Sequence, residues 1–230
     1  MLVVVGGGCY GCYHARQLLK AVRAGRLPGQ RLLVVDRSAS CRAAAEFADA
    51  PEVSVLAAEW LTFLSRWLAS GDAGPDDQLI PAPLAPHLLW EWLAAELGAD
   101  RVPAPGGWRL PYEAPGRAGE VYLSAAGWTC PATCVEPAHC PALHAPRDWD
   151  LADLIEERAR ELGWWPAVFR CVHLAHGVGG IEVGGLLAAR AGARAGGGRI
   201  LVATSSRCHA AVGALRMVEK AVNFPSAEGA

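Results

Sequence analysis

Three cysteines stand in one short stretch, GWTCPATCVEPAHCPALH, with three residues between Cys130 and Cys134 and five between Cys134 and Cys140. Thiolates that share a metal must converge within a few ångströms, and close spacing in an irregular loop achieves this at little backbone cost. Prolines after Cys130 and Cys140 stiffen such a loop. Three thiolates need a fourth donor. His139 and His144 are near in sequence, while Cys208, in TSSRCHAA, follows a predicted strand at the end where open α/β sheets present their sites. Cys130, Cys134, Cys140 and Cys208 are therefore the candidate ligands of zinc or of an iron–sulfur cluster. His176 and His209 are alternatives for the fourth position, although a single histidine more often packs or caps. The spacing matches neither the paired CxxC of a zinc ribbon nor a ferredoxin run, so ordinary loop thiols remain the plain alternative.

A second chemistry is written at the other end of the chain. LVVVGGGCYGCYH carries Gly6-x-Gly8-x-x-Gly11 between an apolar run and a helical pattern, and Asp36 ends the next apolar run, RLLVVD. In a strand–turn–helix unit of this kind Gly6 permits the tight turn, Gly8 lets the backbone approach a pyrophosphate, and Gly11 lets helix and strand pack closely. The helix N-terminus faces the phosphate charge. Asp36 is placed to accept from ribose hydroxyls, which favours NAD(H) over NADP, although Arg37 beside it blurs that choice and a flavin also fits. Gly6, Gly8, Gly11 and Asp36 are the candidate cofactor-binding residues. A glycine turn that has kept the fold and lost the ligand is the alternative. Cys9 and Cys12 form a CxxC at a helix start, where the dipole lowers a thiol pKa, but cysteine also fits a crowded turn as a small hydrophobe. Cys41 reads as packing.

The elements that would position these groups alternate. Strands are predicted at 2–5, 31–36, 51–59 and 76–83, with helices after the glycines and at 60–71 and 86–98. From Val102 to Pro146 prolines and glycines crowd together and periodicity nearly vanishes outside EVYLSA. Order resumes with a helix over 148–163, a fifth strand within 166–180, a helix to about 195, a sixth strand within 196–206 and a closing helix over 207–222. Alternation of this kind implies a mostly parallel sheet covered on both faces. The expected fold is thus a doubly wound, Rossmann-like α/β sheet in strand order 3-2-1-4-5-6, with a Pro/Cys-rich insertion between strands four and five. Its expected divisions are a nucleotide-binding half (1–101), the insertion (102–147), the second half of the sheet (148–222) and a frayed tail (223–230). WLTFLSRW and LLWEWL read as helix faces that serve the core or a homo-oligomer contact.

Apolar residues make up 52% of the 230, and 21 Lys and Arg nearly balance 23 Asp and Glu, so the chain can bury a core and shows no basic stripe for nucleic acid. No apolar run spans a bilayer or resembles a signal-peptide core, so a cytoplasmic protein is expected, in which cysteines serve as thiols or ligands rather than disulfides. There is no Walker lysine, HExxH or Ser–His–Asp signature.

Through VVVGGGCYG, LLVVD and the strand–helix rhythm, residues 1–90 resemble the TrkA-N type of NAD-binding domain, which implies a Rossmann fold and an NAD-like ligand. The CP…C.EP…C segment and the AT..RCH turn make the whole chain similar to an uncharacterised bacterial Rossmann family, which implies that CPATCVEPAHCP and SSRCH act as one constellation. The expected function is a nucleotide-binding oxidoreductase or electron-transfer protein, with a small-molecule nucleotide and a protein redox partner. A nucleotide-sensing subunit with structural zinc is the alternative.

Overall fold

A computed structural model describes residues 1–27, 29–81, 87–131 and 134–218. The first half follows the predicted alternation: β1 (Leu2–Val5), α1 (Cys9–Arg23), β2 (Leu32–Asp36), α2 (Arg42–Glu46), β3 (Val53–Ala57), α3 (Trp60–Ser70), β4 (Gln78–Pro81) and α4 (Leu88–Leu97). Residues 82 and 83, predicted to extend the fourth strand, lie outside the described residues. The four strands pair in parallel in the order β3-β2-β1-β4, with Val5 opposite both Val35 and Pro81. β1 is buried along its whole length, as its unbroken apolar run requires of a strand covered on both faces. Gly98, at φ +60°, ends α4 in the left-handed conformation that glycine adopts without strain.

Beyond α4 the course departs from the expected single sheet. The chain continues through β5 (Ala99–Val102), β6 (Tyr112–Pro115), β7 (Val121–Ser124), β8 (His139–Cys140), β9 (Ala145–Pro146), α5 (Leu151–Glu161) and β10 (Trp165–Arg170). It then forms β11 (Val172–Ala175), β12 (Val178–Glu182), α6 (Val183–Gly196), β13 (Arg199–Ser205) and β14 (His209–Met217). The predicted fifth strand is three strands. β10 joins a second sheet, of order β10-β13-β14-β7-β6 with β5 also on β14, whereas the β11–β12 hairpin extends the first sheet antiparallel to β4. Cys171 lies in the break between β10 and β11, and His176 (φ +48°) and Gly177 (φ +79°) make the reversal between β11 and β12. The molecule is mixed α/β with two principal sheets.

The closing helix predicted over 207–222 is likewise corrected. Its first part is β14, paired with β13 along one edge and with β7 and β5 along the other, while 219–222 fall outside the described residues. Alanine-rich HAAVGALRM favours helix locally, but a central strand gains pairing on both edges, and tertiary context overrides a preference worth tenths of a kcal/mol per residue. The predicted insertion supplies β6 and β7 to the same sheet, so 102–147 is partly integral to the second core.

The two sheets are stacked with helices between and outside them. α3, α4 and α6 fill the layer between the sheets, where Val3, Val5 and Leu79 from the first meet Trp92, Phe169 and Leu215 in one apolar cluster. α1 and α2 cover the outer face of the first sheet, and α5 with Trp108 covers that of the second. Contact between α4 and β14 is close: the Trp90 indole N–H donates to the Ala214 carbonyl at 3.1 Å, and a Cβ on Gly213 would lie 2.5 Å from the Trp90 ring. Among the described residues no helix is long and apolar enough to cross a membrane.

Candidate functional sites

The glycine turn leaves the end of β1 and opens α1. Gly6 has φ +98°, and a Cβ on Gly11 would lie 1.6 Å from the Gly6 carbonyl oxygen, so helix and turn touch through backbone alone. The middle glycine, for which the spacing assigned no role, is also fixed: Cys41 begins α2 with its sulfur 2.5 Å from where a Gly7 Cβ would stand. Cys41 is therefore packing, as expected. At Gly8 nothing lies within 4 Å of the added atom, leaving open space beside the start of a 15-residue helix that has no side-chain cap and no acid in its first turn. Uncapped N–H groups and an open approach suit an anionic ligand. Asp36 reaches back over the turn, accepting from the Gly7 N–H through Oδ2 at 2.7 Å and from the Ser38 N–H through Oδ1 at 2.9 Å. Each oxygen keeps a lone pair for a further donor.

The two other turn cysteines diverge. Cys9 is exposed, with the Arg42 guanidinium donating to its sulfur at 3.5 Å. Burial and then the Glu46 carboxylate push the Cys12 thiol up to about 11, where it is a protonated packing group.

The cysteine segment lies against the second sheet, not over the glycine turn of the first. Cys140 sits on the short β8–β9 pairing, where the Leu143 backbone N–H, then that of Ala142 and the Arg147 cation, hold its thiol below the ordinary range. Burial, followed by the charges of Cys134 and Cys140, pushes Cys130 up. Burial also raises Cys208, which feels Glu136 and Cys130 against the opposing effects of Trp149 and Arg147. The four cysteines thus share one electrostatic neighbourhood. Among the described residues, however, no three His, Cys, Asp or Glu side chains stand close enough together to hold a metal ion. His139 and His144 are exposed, and His209 borders a neighbouring cleft.

Glu136, which the sequence reading passed over, joins the segment to the sheet. Its Oε1 accepts from the Ser206 hydroxyl at 2.7 Å and from the Cys208 N–H at 3.3 Å, and its Oε2 accepts from the Arg207 N–H at 2.9 Å. The link between CPATCVEPAHCP and SSRCH is thus a carboxylate on a turn. One signal was available: an acid in an irregular stretch has no helix face to solvate. Beside this junction lies a cleft of about 640 Å³, bordered by Cys134, Glu136, Asp150, Arg170, Cys171 and His173. Burial, aided by Glu136, raises the Cys171 thiol to about 11, so it is no nucleophile at neutral pH. Another cleft, of about 700 Å³, is walled by Tyr112, Tyr122, Trp128, Thr204 and Ser206. Tyr122 is held at its rim by His87 Nε2 at 2.5 Å and by the buried Glu120 carboxylate at 3.4 Å.

The family model AF_1314_C, described as an uncharacterized protein's C-terminal domain, matches residues 85–218. That span holds α4, the whole second sheet, the cysteine segment and the β11–β12 hairpin, and it excludes the glycine turn. No curated protein and no solved structure matches the chain. With more than half of its residues matched, the chain belongs to the AF_1314_C family.

Proposed function

We propose that this protein binds an NAD(H)-type nucleotide at the Gly6–Gly11 turn and acts as an oxidoreductase or electron-transfer protein whose second redox group is held by the cysteine segment. The observation that carries the nucleotide reading is the open space at Gly8 beside an uncapped helix start, at the end of the central parallel strand of a β3-β2-β1-β4 array. That array supports a Rossmann-like reading of the first sheet. Gly6 turns the chain, Gly8 admits the pyrophosphate, and the remaining lone pairs of Asp36 accept from ribose. NADH titration followed by fluorescence tests this. Gly8→Val is expected to weaken binding at least about tenfold with little change in melting temperature, because the site is sterically open in the free chain. Absence of binding to the unmodified protein at millimolar NADH would sink the nucleotide reading.

For the cysteine segment the donor set fits a thiolate-held metal in kind. Cys134 and Cys140 act on Cys130 as like charges, a repulsion that a cation relieves. The buried indole N–H groups of Trp128 and Trp149 face Cys130 and Cys208 and favour the thiolate form of each sulfur as donors. Hydrogen bonds of this type steady ligating sulfurs. Closure of the segment is required to bring the sulfurs together. A bound cluster would supply one-electron transfer, whereas zinc would supply structure. Anaerobically purified protein is expected to contain iron and absorb in the visible, and Cys134→Ser is expected to lose most of that metal. Full retention by the variant would remove Cys134 from the ligand set.

The docking of the segment through Glu136 favours a second reading, a non-enzymatic nucleotide-sensing subunit braced by structural zinc. Colourless, zinc-loaded protein would select it.

A further inference from the structure

The turn between β13 and β14 gathers three donors on one carboxylate: the Ser206 hydroxyl, the Arg207 N–H and the Cys208 N–H. We propose that this turn is an oxyanion-binding site, and that Glu136 occupies it as a built-in stand-in for the phosphate or carboxylate of a small molecule whose remainder lies in the adjoining cleft of about 640 Å³.

The hairpin does not need Glu136 for its shape. Seven residue pairs, from Arg199 with Arg216 to Ser205 with Ala210, hold β13 to β14, and the Ser206 N–H closes the turn on the His209 carbonyl at 2.9 Å. What Glu136 fills is therefore the outward donor set of the turn. Consecutive backbone N–H groups with a hydroxyl bind oxyanions generally, because fixed dipoles converge on the negative oxygens without a reorganisation cost.

Glu136 is also suited to leave. Residues 134–138 belong to no helix or strand, and Glu136 has φ +48°, a conformation that costs a non-glycine residue energy. Its release would sacrifice no ladder bond and would relieve that strain. The surroundings suit an anion that enters by the same path. Arg207 is half exposed and 3.7 Å from its nearest acid, Asp150, whereas Arg170 is committed to Asp153 and Glu156 at 2.7 Å each. Of the two arginines bordering the cleft, Arg207, held only by that longer ion pair, is the one less constrained from turning toward an incoming charge.

The test needs neither metal nor nucleotide, so it stands apart from the function proposed above. In Glu136→Ala, inorganic phosphate should shift the Arg207 and Cys208 amide resonances and saturate at about one tenth of the concentration required by the wild type, where Glu136 competes. Adding Ser206→Ala should weaken that response about tenfold. Acetate, run in parallel, separates the ligand classes: a stronger response to phosphate assigns a phosphoryl ligand, and the reverse assigns a carboxylate. Resonances unmoved by both anions in folded Glu136→Ala, or equal responses in variant and wild type, would overturn the proposal. Should that variant not fold, Glu136→Gln carries the same comparison, since its amide retains an acceptor for Ser206 and sets an N–H against that of Arg207.

Discussion

Gly11→Ala is expected to destabilise the protein by about 3 kcal/mol or more, although it adds a single methyl group to a helix and replaces a poor helix former with the best one. Helix propensity alone predicts a gain of about 1 kcal/mol. The opposing effect is larger because the new Cβ would lie 1.6 Å from the Gly6 carbonyl oxygen and 2.7 Å from its carbon, and both are backbone atoms with no rotamer to yield. Gly6 cannot retreat freely. Its N–H is bonded to the Val35 carbonyl at 2.8 Å, and its φ of +98° already lies where few residues go. Relief must come from moving α1, which buries Cys12, Ala15, Leu18 and Leu19 against the first sheet. Gly8→Ala is the control. Nothing lies within 4 Å of its added atom, so its change should stay within about 0.5 kcal/mol. Urea denaturation checks the pair, and a Gly11→Ala loss below about 1 kcal/mol would show that helix and turn do not touch as described.

That contrast shows what the spacing of glycines could and could not tell. The turn at Gly6 and the close contact at Gly11 were legible because each is local, fixed within a few residues. The strand–helix alternation through α4 was legible for a similar reason: period and punctuation are properties of short windows. Beyond α4 the same reasoning placed α5 and β13 but read β14 as a helix and three strands as one. HAAVGALRM became a strand because β13, β7 and β5 flank it, and none of these is near in sequence except β13. The run from Pro166 to Gly180 passed from the second sheet to the first at Cys171 and doubled back at the His176–Gly177 reversal, and its glycines gave only a weak sign of it. For the site, the cysteines announced themselves by type, whereas Glu136 did not. An acid's partner here is a backbone turn 70 residues away, and backbone donors leave no mark on composition.

Trp92→Ala should cost about 3 to 5 kcal/mol, the range for emptying a large aromatic from a packed core. Trp92 is fully buried on α4, in the layer between the two sheets, with its ring 6.4 Å from that of Phe169 and inclined at 59°. Phe169 belongs to β10 of the second sheet, while Val3, Val5 and Leu79 of the first line the same cluster. A void here is bounded on both sides by sheets tied through their own ladders, so neither can collapse inward to fill it. The cost should therefore fall in the upper part of that range. One effect runs the other way. Among the described residues the buried Trp92 indole N–H has no hydrogen-bond partner, a penalty of about 1 to 3 kcal/mol that the tryptophan itself imposes. Trp92→Phe removes that donor and keeps most of the ring, so its net change should lie within about 1 kcal/mol of zero. Thermal and urea unfolding of the two variants separate packing from polarity. Equal losses for Phe and Ala would mean that the N–H finds a partner, and that the indole is held by a hydrogen bond rather than by the fit of α4 between the sheets.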